Sequence, residues 1–132
     1  MSRVAVVLDA SALVGYAKLH PAAGVMIAMV AEGADTLAGI PAAAYLAACW
    51  QLDEAEHDLL RALVTGADRV VEILPLLGPD TDQAAGLDVE LRRQGLGHAI
   101  IETLRHGATL ATFVPDVVGR ALADDSIIDL GM

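Results

Sequence analysis

The stretch that decides the fold is Val4-Ala5-Val6-Val7-Leu8-Asp9-Ala10-Ser11, in a chain of 132 residues. Its continuous apolar run, rich in valine, is typical of a strand that is buried on both faces of a parallel sheet. The polar residues that end the run, Asp9 and Ser11, are both common helix caps. We therefore predict a strand over residues 4–8, followed at once by a helix over residues 11–19.

The rest of the chain repeats this order of strand and helix. Short apolar segments at 36–40, 69–74 and 109–113 predict further strands, and the segment at 126–130 predicts an edge strand. Prolines, cap residues and glycines delimit predicted helices over 22–31, 41–52, 53–66, 78–94, 97–106 and 115–123. The alternation predicts an α/β fold: a three-layer α/β/α sandwich with a mainly parallel sheet of four or five strands. The strands at 4–8 and 109–113 should be neighbours in that sheet.

Composition indicates a single domain over residues 1–132. Hydrophobic residues make up 55% of the chain and aromatic residues only 3%, so the core must consist of Ala, Val, Leu and Ile.

No apolar run approaches the roughly 20 residues that span a bilayer, and the first run ends at Asp9 without a signal-peptide cleavage site. The one cysteine, Cys49, has the spacing of a packed helix face, which predicts a buried, inert thiol. We expect a cytoplasmic protein with no membrane association.

The chain is strongly acidic, with 8 Lys and Arg against 18 Asp and Glu and a formal net charge of −10. Such a charge favours solubility and disfavours broad nucleic-acid binding, which depends on clustered cations that neutralise phosphates. Arg92 and Arg93 are the one adjacent pair of cations. RNA is therefore a disfavoured partner, although metal ions can mediate phosphate contacts in an acidic nuclease.

Three segments occur in an informative order. They are Val6-Val7-Leu8-Asp9-Ala10-Ser11-Ala12-Leu13, Ile40-Pro41 before an alanine-rich helix, and Gly107-Ala108-Thr109-Leu110-Ala111-Thr112. Together they resemble the PIN-domain family, metal-dependent ribonucleases that include many toxins of toxin–antitoxin pairs. The resemblance covers essentially the whole chain. It implies the PIN-like fold, a site built from several acids that binds Mg²⁺ or Mn²⁺, and Asp9 as the first of those acids.

The other acids that the resemblance implies are missing. Ala47 stands where the second is expected, Leu96 where the third is expected, with His98 two residues later, and Val114 where the fourth is expected. Asp116 is a candidate substitute for the fourth. Hard divalent cations need several oxygen ligands, and Ala, Leu and Val each remove one entirely. Asp9 and Asp116 are thus relic catalytic candidates, and Asp9 is the candidate metal ligand among these positions.

The remaining polar candidates each have a simpler structural interpretation. Asp9 and, more strongly, Ser11 are expected to cap the helix that follows them. Asp116 is expected to interact with the dipole of a short helix. His98 and Glu102 are one helical turn apart and are either a pair of ligands or, as we expect, part of a solvated polar face.

These observations predict a catalytically degenerate PIN-like protein that acts by binding a protein or a ligand. The alternative is a Mg²⁺- or Mn²⁺-dependent ribonuclease with a rearranged active site. A ligand pocket at the strand ends is a further hypothesis, because ligands in such folds bind beyond the carboxyl ends of the strands. Its candidate residues are Asp9, Ser11, His98, Glu102, Thr112 and Asp116.

The predicted helix at 22–31 is apolar on every side. Such a helix is either enclosed by the core or covered by a partner. Flexible methionine side chains suit an adaptable contact surface, and the PIN resemblance also implies dimers. We therefore predict a homodimer or a complex with another protein, with Tyr16, Val25, Met26 and Met29 as the candidate contact residues.

Overall fold

The computed structural model describes residues 2–66 and 69–132 of the chain. Its five strands are β1 (Arg3–Leu8), β2 (Thr36–Pro41), β3 (Val71–Leu74), β4 (Thr109–Thr112) and β5 (Ile127–Asp129). They form one sheet in the order β3-β2-β1-β4-β5, and every pair is parallel. Val6 lies opposite Thr109 and Leu8 opposite Ala111, so the predicted neighbours do pair.

The first strand occupies the centre of the sheet and contributes to both cores. Val6 and Leu8 pack in one hydrophobic cluster, whereas Val4 and Val7 pack in the other. Regular alternation would place Val4 and Val6 on the same face. The register with β2 shifts between these two residues, and this bulge moves Val4 to the opposite face.

The helices form a layer on each side of this sheet. They are α1 (Ala10–Ala17), α2 (Pro21–Glu32), α3 (Ala42–Cys49), α4 (Glu54–Thr65), α5 (Thr81–Leu91), α6 (Leu96–His106) and α7 (Pro115–Val118). The first four share a core that includes Leu13, Ile27 and Leu60. The last three share the opposite core, which includes Leu91, Ile100 and Val118. The predicted three-layer α/β/α sandwich is confirmed.

Several predicted element boundaries are wrong. The segment predicted as a helix over 78–94 contains a single 3-10 turn (Gly78–Asp80) and then α5, which ends at Leu91. It stops there because Arg92 adopts a left-handed conformation, with φ of 56°. The helix predicted over 115–123 ends at Val118, and the one predicted over 41–52 ends at Cys49.

The thiol of Cys49 is half-buried rather than fully buried as predicted, and burial raises its pKa.

Among the described residues, no single helix is both long enough and apolar enough to cross a membrane. The helices α1 and α2 reach the necessary length and apolarity only when they are taken together, and their axes are bent by 104° relative to each other.

Candidate ligand pocket at the carboxyl edge of the sheet

A pocket of about 360 Å³ lies beyond the carboxyl ends of β1 and β4. Its inner wall consists of buried or half-buried residues: Asp9, Ala10, Ser11, Ala47, Leu96 and Val114. Its rim consists of exposed residues: Trp50, Gln51, Arg92, Arg93 and Gln94. The volume falls within the range of about 300–1,000 Å³ that is usual for small-molecule sites.

Asp9 is the buried charge of the inner wall, with only 2% of its surface exposed. It caps α1 as predicted, because its Oδ1 accepts a hydrogen bond of 2.9 Å from the backbone N–H of Ala12. The same oxygen accepts a 2.6 Å hydrogen bond from the hydroxyl of Ser11. Burial raises the pKa of the Asp9 carboxyl, and the hydrogen bonds from Ser11, Thr112 and Ala12 counteract only part of that effect.

Ser11 does not cap the helix, contrary to our expectation. It lies within α1, and its Oγ accepts a 2.9 Å hydrogen bond from the backbone N–H of Phe113. Its Oγ also lies 3.2 Å from the Oγ1 of Thr112, which is fully buried. Ser11 therefore ties the start of α1 to the end of β4 and fixes the two sides of the pocket next to Asp9.

Ala47, Leu96 and Val114 meet Asp9 on the inner wall of the pocket. These are the three positions at which the PIN resemblance implies acids. Asp9 is thus the one carboxylate among the described lining residues. Within residues 2–66 and 69–132, no group of three or more His, Cys, Asp or Glu side chains is arranged to hold a metal ion. The inner wall therefore combines one buried carboxylate with an apolar surface.

The rim of the pocket is basic and aromatic, which the sequence did not lead us to predict. Trp50 ends α3 and is 86% exposed. Arg92 and Arg93 follow α5 in a loop held by Asp88, whose carboxylate accepts hydrogen bonds of 2.8 Å from Gly95 N–H and 2.6 Å from Gly97 N–H. The one available signal was the adjacency of the two arginines in an acidic chain.

His98 and Glu102 are buried, so the predicted solvated face is wrong. His98 is 0% exposed and Glu102 is 3% exposed, because α3 and α5 pack against α6 on this side. The Nδ1 of His98 accepts a 3.3 Å hydrogen bond from Ala43 N–H, which requires an unprotonated Nδ1 and places the ring proton on Nε2. That Nε2 lies 3.4 Å from Glu102 Oε1 without the alignment of a hydrogen bond.

Glu102 also joins α6 to the surface. Its carboxylate pairs with Arg105, which pairs in turn with Asp80, and its Oε2 lies 3.2 Å from His106 Nε2. This network connects the start of α5 to α6. Neither His98 nor Glu102 is among the described residues that line the pocket, and the same holds for the exposed Asp116. The structure therefore brings Asp9 and Ser11 together at the pocket, places Thr112 directly behind them, and separates the other candidates from it.

The predicted contact residues on the early helices divide into two pairs. Val25 and Met29 are 57% and 61% exposed, and both lie on the outer face of α2. Tyr16 and Met26 are half-buried and pack against the core. The outer face of α2 is therefore apolar and free in the monomer, whereas its inner face is part of the fold.

In comparisons with known proteins, no protein-family model and no curated protein matches this sequence.

Proposed function

We propose that this protein is a PIN-like domain that lacks nuclease chemistry and acts by binding a ligand in the pocket at the carboxyl edge of the sheet. The observation that carries the proposal is the composition of the inner wall. There Asp9 stands beside Ala47, Leu96 and Val114, the positions where the resemblance implies the other acids. On this proposal, the pocket corresponds to the PIN-family site, and three of the four positions where acids are expected carry no metal ligand.

The chemistry of phosphodiester cleavage explains why this composition disfavours a nuclease. A site with two divalent ions needs carboxylates that bridge and flank the ions, which stabilise the attacking and leaving oxygens. Asp9 alone supplies one carboxylate, and one of its oxygens already accepts two hydrogen bonds. Its raised pKa further disfavours the ionised form that a metal would bind.

His98 and Glu102 do not restore the missing ligands. Both side chains are enclosed between α6 and its neighbours, and Glu102 is already paired with Arg105. The pocket nevertheless has the volume, the largely apolar inner wall and the polar rim of a binding site. Binding without bond cleavage is therefore the function that this geometry supports best.

Incubation of the purified protein with single-stranded RNA and Mg²⁺ or Mn²⁺ tests the proposal. We expect no cleavage above the level of an Asp9→Asn variant, because neither protein can assemble the metal pair. Titration calorimetry with Mn²⁺ should likewise show no difference in binding between the two proteins. Metal-dependent cleavage by the unmodified protein that Asp9→Asn abolishes would contradict the proposal and favour the ribonuclease alternative.

A further inference from the structure

The rim of the pocket carries two cations that the fold itself does not use. The described ion pairs of lysine and arginine side chains involve Lys18, Arg61 and Arg105. Within the described part of the chain, no carboxylate lies within ion-pair distance of Arg92 or Arg93, although acids outnumber bases 18 to 8. Two adjacent arginines in this setting offer their donors to an anion from outside, and guanidinium groups bind phosphate oxygens through paired hydrogen bonds.

The backbone at Arg92 sets the direction in which the chain leaves α5. Arg92 has φ of 56°, a left-handed conformation at the end of α5 where glycine is the favoured residue. The conformation directs the chain into the loop that Asp88 holds, so both arginines reach the pocket on a fixed support.

Trp50 is the aromatic residue of the rim. It is the one tryptophan of the chain, and at 86% exposure its ring contributes little to the core. An exposed indole at the edge of a pocket is a stacking surface for a planar ring. The adjacent Gln51 and Gln94 offer amide donors and acceptors that suit the edge of a heterocycle.

We propose that the pocket binds a small phosphorylated molecule that carries a planar ring, a nucleoside monophosphate being the simplest, without a metal ion. This inference rests on the proposed function and names its ligand class. The phosphate contacts Arg92 and Arg93, and the ring stacks on Trp50. Asp9, on the inner wall, sets the orientation by accepting a hydrogen bond from a hydroxyl or amino group of the ligand.

The overall charge argues for a small ligand rather than a polynucleotide. A long strand gains affinity when many phosphates are neutralised together, and a chain with net charge −10 repels the phosphates beyond the two arginines. A mononucleotide needs only the charges that the rim provides. The pocket volume of about 360 Å³ also suits a ligand of this size.

Fluorescence of Trp50 gives a direct test, because no other tryptophan contributes to the signal. The full chain is titrated with AMP, GMP, CMP and UMP in the presence of EDTA. We expect saturable quenching by at least one of them. Affinity for the matching nucleoside without phosphate should be lower by roughly tenfold or more, since it loses the charged hydrogen bonds to the arginines.

Single substitutions distinguish the contribution of the two arginines to binding from that of Trp50. Arg92→Gln and Arg93→Gln should each weaken binding by roughly tenfold, whereas Arg3→Gln, at the opposite edge of the sheet, should leave it unchanged. Trp50→Phe, measured by calorimetry, should bind several-fold more weakly because a smaller ring stacks less. Circular dichroism of each variant checks that the fold is retained.

Several results would overturn this inference. They are no saturable quenching by any of the four nucleotides, equal affinity for nucleoside and nucleotide, an equal loss in Arg3→Gln, or tighter binding of a short RNA than of its mononucleotides. Absence of nucleotide binding together with absence of RNA cleavage removes this inference alone. Metal-dependent cleavage of RNA instead removes the proposed function.

Discussion

At the scale of single residues, Asp9 combines two properties that oppose each other. Its carboxylate is almost fully buried, which disfavours the ionised form, and it caps α1, which favours that form. Burial is the larger effect, so the pKa of Asp9 in the folded protein lies above its ordinary value of 3.8. A carboxyl with a raised pKa makes folding less favourable wherever it is ionised.

The substitution Asp9→Asn should therefore stabilise the protein at neutral pH. Asparagine keeps an oxygen that caps the helix but carries no charge to desolvate. The unmodified protein recovers stability as the pH falls through the raised pKa of Asp9, and the recovery is complete below the unfolded value of 3.8. The stability difference between the two proteins, measured by urea unfolding, should thus be largest at pH 7 and shrink towards pH 4.

Asp53→Asn provides the matched control for this prediction. Asp53 also caps a helix, α4, through a 2.8 Å hydrogen bond with Glu56 N–H, but it is exposed. Its replacement by asparagine should leave the unfolding free energy at pH 7 unchanged or slightly lower, since capping is retained. If Asp9→Asn lowered the unfolding free energy at pH 7, ionised Asp9 would be a net stabilising group and the prediction would be wrong.

At the scale of elements, the junction between α5 and α6 sets the position of the basic rim. A Cβ added at Gly97 would lie 2.1 Å from the backbone oxygen of Ala84, so the two helices approach each other more closely than any side chain permits. The carboxylate of Asp88 satisfies the amides of Gly95 and Gly97 at the same place. Close helix contact and a buried turn are thus both consequences of the glycines.

Two glycine substitutions on these helices should have opposite effects. Gly97→Ala must separate α5 from α6 and should lower the unfolding free energy by about 3 kcal/mol, the upper end of the cost of overpacking. A Cβ added at Gly86, on α5, has no atom near it. Gly86→Ala should therefore raise the unfolding free energy by about 0.5–1 kcal/mol, because alanine is the better helix former. Thermal and urea unfolding measure both, and destabilisation by Gly86→Ala or tolerance of Gly97→Ala would contradict the described packing.

The order and type of the elements could be predicted from the sequence, but their ends and exposure could not. Apolar runs and caps act locally, so Val4 to Leu8 and the cap at Asp9 were predictable from a few adjacent residues. The burial of His98 and Glu102 depends on α3 and α5, which pack over that side of α6. Arg92 ends α5 through a conformation that is unusual for arginine, so local preferences indicated a longer helix.

At the scale of the whole molecule, the outer face of α2 is the surface through which we predict self-association. Val25 and Met29 lie one helical turn apart on that face, and both are more than half exposed. Substitution of Met29 by glutamate should leave the fold intact, since the side chain is not part of the core. We expect the unmodified protein to form a homodimer at micromolar concentration and the Met29→Glu variant to be a monomer, as measured by analytical ultracentrifugation.

Ile27→Glu is the control for this experiment, because Ile27 is buried on the inner face of the same helix. It should unfold the chain rather than merely dissociate it. An unmodified protein that sediments as a monomer would contradict the predicted homodimer. A Met29→Glu protein that remains dimeric would show that the contact lies elsewhere.

The location of the pocket could also be predicted from the sequence, whereas the character of its rim could not. Asp9, Ala47, Leu96 and Val114 follow from segments that stand in a recognisable order, and they do meet at the carboxyl edge of the sheet. Trp50 and the arginines lie at helix ends, where a shift of one residue redirects a side chain completely. Their convergence depends on how α3 and α5 end, which no local pattern encodes.

The central position of β1 has a consequence for how the chain is synthesised. One edge of β1 pairs with β2, which follows soon after it in the sequence. The other edge pairs with β4, which is synthesised much later: Ala5 and Thr109, whose side chain approaches the Ala5 carbonyl, are 104 residues apart. Until residues 109–112 are made, a valine-rich strand has unpaired amides and carbonyls along that edge. Such an edge is a template for pairing with another nascent chain. The strand that organises the finished sheet is therefore the segment most exposed to aggregation while the protein is still incomplete.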